Sequence, residues 1–310
     1  MKKCLIVINF SSGSSKKISF EKVEKRLGND FEYSRCSLPS QKLPDLSLFD
    51  AIAVCGGDGT LGSVLQEVYD KKIDVFYFPV GTLNDKAKAE RYIHAKDGAN
   101  DDAQKQIVVG KCRRIEKDES VIDEEKRTDD RNEEIFTYVF AAGSFTPIGY
   151  TSSPREKKKF GTLAYVAKII KEYRPYRMKT TLICDGKKYE DDFTLIMFLK
   201  SPRCFGFPFN KAFNSKSASG HLLAIRSPKH DGFLGCVEMF FPFFKAFFIG
   251  LKNERDRGKI MFKQVYDAAM ITDENIVFCK DGERCETTSG TYDVSFKRAA
   301  CSFKVIDKFK

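Results

Sequence analysis

The chain has 310 residues, 42% of them hydrophobic and 31% charged, which is the profile of a soluble globular protein with enough residues to bury a core. That length gives one large domain or two ordinary ones, and no stretch reads as a bilayer span. A formal net charge of +10, with pI near 9.0, favours anionic partners (nucleotide phosphates, nucleic acid or an anionic lipid surface), although solubility alone would account for it.

The opening MKKCLIVINF resembles a signal peptide only superficially, because its apolar run is short and no small-residue cleavage site follows. It is read as a first strand, Cys4 to Phe10, ending in the loop Ser11-Ser12-Gly13-Ser14-Ser15. A helix is expected from Phe20 to Leu27, then strands over Phe31 to Cys36, Ala51 to Cys55 and Ile73 to Pro79. Between the last two, Leu61, Val64, Leu65 and Val68 recur at helical spacing. Short apolar strands alternating with helices predict an α/β domain with a parallel, doubly wound sheet over residues 1–106.

After Gln106 strand-like runs follow one another: Ile107 to Cys112, Ile135 to Ala142, Lys179 to Cys184, Phe193 to Leu199, Leu222 to Arg226, Val265 to Thr272 and Ile276 to Cys279. Asp185-Gly186 and Asp281-Gly282 are hairpin signals between such runs. Leu163, Val166, Ala167 and Ile170 predict a helix between Gly161 and Tyr173. Residues 107–310 therefore read as a mainly antiparallel β domain, with the final residues either staying in it or returning to the first domain. Glu116 to Glu134, dense in charge and nearly without apolar residues, reads as a solvated hairpin tip. The run MFFPFFKAFFIG, Met239 to Gly250, has two readings: a core segment, or an exposed apolar lip that touches a bilayer or admits acyl chains.

Ten cysteines occur without a C-x-x-C pair, and neither they nor the three histidines have zinc-ligand spacing. Reduced thiols of a cytoplasmic protein are expected. A nucleic-acid role has only the charge in its favour, since no stacking motif or basic recognition helix accompanies it.

Three loops fall at the carboxyl ends of the predicted parallel strands, where open α/β sheets bind ligands: SSGSSKK, GGDGT and PVGTLND. Backbone amides at such Gly-, Ser- and Thr-rich turns cradle phosphate, and Lys16 or Lys17 adds a point charge. Asp58, Thr82, Asn84 and Asp85 are also ordinary turn and N-cap residues, so each loop alone is a weak signal.

Together these motifs resemble the diacylglycerol kinase catalytic-domain family, which includes bacterial soluble lipid kinases. GGDGT is shared more widely, with sphingosine kinases and NAD kinases. PVGTLND is similar to the lipid branch's P-x-G-T-x-N-D. The opening LIVINFSSGSSKK, the segment KKFGTLAYVAKIIK and the late KDGERCE follow the family in order along nearly the whole chain.

The resemblance implies an N-terminal α/β nucleotide-binding domain, a C-terminal β-sandwich domain, and ATP with Mg2+ as cofactors. It implies that Gly56, Gly57, Asp58, Gly59 and Thr60 hold the phosphates and, through Asp58, the metal. Asn9, Ser12, Gly13 and Lys16 or Lys17 belong to the nucleotide loop, with Gly81, Thr82, Asn84 and Asp85 on the same edge. Glu283 of Asp281-Gly282-Glu283 is the implied general base, Asp281 being counted with it among the catalytic carboxylates. A hairpin alone explains Asp-Gly equally well, as it does at Asp185-Gly186.

The chain also departs from the family. Gly62 and Ser63 stand where Glu or Asn usually follows GGDGT, Phe10 replaces a proline, and the region of Val108 is apolar. SASGHLL, including Ser219, has no aspartate where bacterial lipid kinases hold a structural magnesium, so no such metal is expected. The expected activity is an ATP-dependent lipid kinase acting on diacylglycerol, cytoplasmic and drawn to anionic membrane. The alternatives are an NAD-type nucleotide kinase and a silent nucleotide-binding regulator. The sequence leaves a homodimer through exposed strand edges open.

Overall fold

A computed structural model describes residues 1–82, 84–97, 105–115, 133–144, 176–204 and 207–306. The expected helix between Gly161 and Tyr173, and residues 116–132 of the acidic insert, lie outside them. The chain divides into two compact units, Met1–Val108 with Arg298–Lys310, and Val109–Lys297.

In the first unit, β1 (Lys2–Asn9), β2 (Phe31–Leu38), β3 (Ala51–Gly56) and β4 (Asp74–Pro79) are joined by the last residues of a long strand, β16 (Gly290–Val305). All pair in parallel, in the order β2-β1-β3-β4-β16. Every residue of β3 is buried, which is why it reads as a continuous apolar run rather than an alternation.

Helix α1 (Phe20–Leu27) starts at Ser19, whose hydroxyl accepts the Lys22 amide, and ends at Gly28 with φ of 93°. Helix α2 (Asp58–Val68) buries Leu61, Val64, Leu65 and Val68 completely, the stripe the sequence predicts. Helix α3 (Asp85–Asp97) follows Asn84, whose φ of 49° lies in the left-handed region that asparagine tolerates.

The second unit is antiparallel and β-rich. β8 (Met178–Cys184), β9 (Lys187–Leu199), β10 (Gly220–Arg226), β11 (Arg255–Arg257), β12 (Ile260–Val265) and β13 (Asp267–Thr272) lie in the order β11-β12-β10-β9-β8-β13, with the start of β16 next to β13. β7 (Val139–Gly143) pairs with β9 and with β14 (Ile276–Lys280), which turns into β15 (Glu283–Thr287). β5 (Lys105–Ile115) pairs with β6 (Glu133–Phe136). The single run expected from Ile135 to Ala142 is two strands, broken at Thr137-Tyr138.

Alternate residues of β7, β9, β10 and β12 form a buried cluster that includes Val139, Met197, Leu223 and Phe262. Met239 and Ala246, from a helical segment of Gly232 to Ile249, complete it. That segment is α4 (Gly232–Phe244) continued by a wider π turn over Lys245–Ile249, and Gly250, at φ of 82°, ends it. It corrects the expectation that no stretch is long and apolar enough to cross a bilayer: its 18 residues have a mean hydropathy of 1.6. Glu238 and Lys245 are its only charges, and the seven phenylalanines around them outweigh both.

Candidate functional site

The strand order of the first unit reverses at β1, so the chain leaves β1 for β2 on one side and returns to β3 on the other. The crevice at the carboxyl ends of β1 and β3 is where open α/β sheets take ligands. The loops after β1, β3 and β4 meet there, and their contacts are specific.

Asn9, the last residue of β1, donates from Nδ2 to Thr60 Oγ1 at 2.9 Å and accepts the Ser11 amide at 3.0 Å. The Ser14 amide reaches the Val80 carbonyl at 2.8 Å, while Val80 and Gly81 both donate to the Gly56 carbonyl. Glycine is needed for this approach: a Cβ on Gly81 would stand 2.5 Å from Gly57 Cα, and one on Gly13 would stand 2.8 Å from the Val80 oxygen. Asn84 closes the third loop by donating to the Gly81 carbonyl at 2.8 Å.

Asp58 lies at the start of α2 and is buried. Its two oxygens accept the amides of Asp85 (2.8 Å) and Lys86 (3.1 Å), so it caps α3 from another element. A carboxylate has about four lone-pair positions, so Asp58 can accept more than these two amides. The Tyr77 hydroxyl is pushed well above its ordinary pKa by burial and by the neighbouring Asp58 charge. Asp85 is completely buried one residue into α3.

Behind them, Glu90 takes Lys86 at 2.9 Å and Lys105 at 2.8 Å. Burial alone would raise the Glu90 pKa, but the two ammonium groups pull harder and bring it to about 2. Tyr77, Lys86, Glu90 and Lys105 are absent from the sequence reading. The Lys86-to-Glu90 spacing was the available signal, since i and i+4 share a helix face.

Of the residues expected to hold nucleotide, Asn9, Gly13, Gly56, Gly57, Asp58, Thr60, Gly81, Asn84 and Asp85 come together in these contacts. Gly59 lies in the first turn of α2, and Thr82 is exposed in the third loop. Ser12 accepts the Ser15 amide within the first loop. Lys16 and Lys17 occupy an exposed turn, and nothing in their surroundings separates them. The assembled groups are hard oxygen donors and main-chain amides at two helix N-termini. That chemistry fits phosphate and a hard divalent cation.

The late D-G-E lies in the second unit. Asp281 is buried, and its oxygens accept the amides of Thr137 (2.5 Å), Tyr138 (3.0 Å) and Val139 (3.0 Å). Burial raises its pKa, against the pull of those amides. It thus holds the break between β6 and β7. Glu283 is exposed at the start of β15, opposite Lys280. In SASGHLL the buried Lys200 ammonium donates to the Ser217 and Ser219 carbonyls at 2.8 and 2.6 Å, a fixed positive charge on that loop.

A candidate lipid kinase of Streptococcus pneumoniae is 28% identical over 188 residues, which cover 55% of this chain and 57% of that protein, so the match spans little more than half its length. Two solved structures of candidate diacylglycerol kinases from Bacillus anthracis superpose with TM-scores of 0.66 and 0.64 at 17% identity. They cover 97% and 98% of this chain and 96% and 97% of theirs, and at that identity they establish the fold. Residues 3–117 match the family model for the diacylglycerol kinase catalytic domain.

Proposed function

We propose that the protein is an ATP-dependent lipid kinase that phosphorylates a lipid hydroxyl, with diacylglycerol as acceptor, on the cytoplasmic side of an anionic membrane. The observation that carries this reading is the meeting of three glycine-bearing loops, two of them tied together by the buried carboxylate of Asp58, at the topological switch of a parallel sheet. Amides of the Gly57–Thr60 and Ser12–Ser14 stretches would bind the phosphates of ATP. Asp58 would hold Mg2+, whose role when bound is to neutralise charge on the transferred group. Pro79 to Asp85 supports the lipid branch over a nucleotide acceptor.

Glu283, exposed at the start of β15, serves as general base for the acceptor hydroxyl. Asp281, two residues earlier and bound to the amides of Thr137, Tyr138 and Val139, is the positioning residue of that turn. A second reading, a nucleotide-binding regulator without turnover, draws on the structural task Asp58 already performs at α3.

Transfer of labelled phosphate from magnesium ATP to micellar lipids separates the two. Diacylglycerol should be labelled by wild type, and at least about 100-fold more slowly by Asp58→Asn and Glu283→Gln. Tight ATP binding with no lipid labelled would sink the kinase reading in favour of the regulator.

A further inference from the structure

The segment Gly232–Ile249 is apolar on both sides, which the kinase reading does not use. One stripe faces the core: Gly235, Met239 and Ala246 are buried, with Phe243 and Phe247 packed beside them. The opposite stripe faces outward. Phe233 is 80% exposed, Leu234 62%, Phe240 51%, Phe241 72%, Phe244 42% and Phe248 52%.

The rings of Phe240, Phe244 and Phe248 form a ridge, with Phe240 stacked on Phe244 at 5.9 Å and Phe244 on Phe248 at 5.4 Å, and Phe241 meets Phe240 edge-on. At roughly 150–250 Å² for each ring, the exposed patch is on the order of several hundred Å², at the upper end of what a monomer tolerates. A helix that is apolar all round belongs in a core or in lipid.

Charge indicates the occupant. The acidic groups of this segment are already matched: Glu238 binds Lys259 at 2.8 Å, and Asp231, just before it, binds Arg177 at 2.9 Å. The lysines are not. Lys245 is exposed on the helix, Lys252 follows Gly250, and the Lys211 side chain runs so close to Gly250 that a Cβ there would meet its Cε at 2.9 Å. None of the three forms an ion pair with a described residue. An apolar ridge ending in unmatched cations is complementary to acyl chains beneath anionic headgroups. A second copy of the same face would bring the same cations and no acidic group left to match them.

We propose that Gly232–Ile249 is a docking surface for an anionic lipid bilayer, lying in the plane of the interface with Phe233, Phe240, Phe241 and Phe244 in the acyl region and Lys211, Lys245 and Lys252 at the headgroups. The helix lies on the membrane rather than across it, because Met239 and Ala246 are fixed in the core and Glu238 is held by Lys259 and by the amides of Lys229 and His230. This surface stands whether or not the protein transfers phosphate.

The test is sedimentation of the full chain with vesicles of phosphatidylcholine alone or mixed with phosphatidylserine. Wild type should pellet with the mixed vesicles. Phe233→Ser with Phe241→Ser, both at exposed positions and so expected to leave the melting temperature unchanged, should weaken partition at least about tenfold. Lys211→Gln, Lys245→Gln and Lys252→Gln together should cost about tenfold or more on anionic vesicles and remove the salt dependence. The proposal is overturned if wild type stays in the supernatant, or if the serine variant pellets like wild type. A dimer dispersed by the serine substitutions, without vesicle binding, would assign the face to a second copy and overturn it as well. None of these readouts involves ATP, so their failure removes the anionic-membrane part of the functional reading and leaves the phosphate-transfer part standing.

Discussion

The turns Asp185-Gly186 and Asp281-Gly282 share a backbone and differ in everything around it. Their φ values are 51° and 72° in one, 50° and 91° in the other, and each joins two antiparallel strands of the second unit. Asp185 projects into solvent, whereas Asp281 is buried and receives three main-chain amides from residues more than 140 positions earlier. Two dipeptides that carry the same hairpin signal are thus a simple turn and a structural anchor. The local rule sets the bend, and the long-range partners set what the bend is for.

Breaking the anchor should have the largest effect. Asp281→Ala leaves three buried amides without an acceptor and is expected to cost about 3–5 kcal/mol in urea melts, against less than about 0.5 kcal/mol for Asp185→Ala. Equal losses would erase the distinction.

The contrast between buried and exposed titratable groups extends to His221. It lies flat on Phe262, with Nδ1 3.3 Å from the Asn210 amide nitrogen, and burial, then Lys200, lower its pKa to about 4. The unfolded chain takes up a proton near 6.5 and the folded chain only near 4. Stability present above pH 6.5 should therefore fall by about 2–3 kcal/mol as pH drops to 4. Melts across that range should show the fall flattened in His221→Gln.

The shared backbone predicts a shared penalty. Gly186→Ala and Gly282→Ala each force a Cβ into positive φ and should cost about 1 kcal/mol, slightly more at Gly282, whose Cβ would meet the Tyr138 hydroxyl at 3.4 Å. The smallest effect belongs to the residue after each glycine. Lys187→Gln and Glu283→Gln should change stability by less than about 0.5 kcal/mol, since both positions are exposed. A large loss of stability in Glu283→Gln would mean that its side chain supports the fold, and its assignment as a base would then need another residue.

The parallel half of the fold was legible because its strands are short apolar runs bounded by glycine and serine, and α2 carries a clean buried stripe. The meeting of the three loops follows once the strand order is known. β16 was not legible: burial alternates through Tyr292, Val294 and Phe296, then shifts by one at Lys297-Arg298 and resumes through Ala299, Cys301 and Phe303. That slip breaks the period of two from which strands are read. The helical segment at Gly232–Ile249 failed for the opposite reason, since apolar residues on both faces leave no periodicity. The tasks of Asp58 and Asp281 were hidden because their donors are main-chain amides, which no residue type announces.

The pairing of Ser302–Val305 with Asp74–Tyr77 also bears on the chain's birth at the ribosome. β4 is made long before the strand that covers its open edge. Until Ser302–Val305 emerge, that edge presents bare amides and carbonyls to every other nascent chain. A chain cut after Lys297 would leave that edge of β4 without its partner, so the last residues of β16 decide whether the parallel sheet of the first unit is finished.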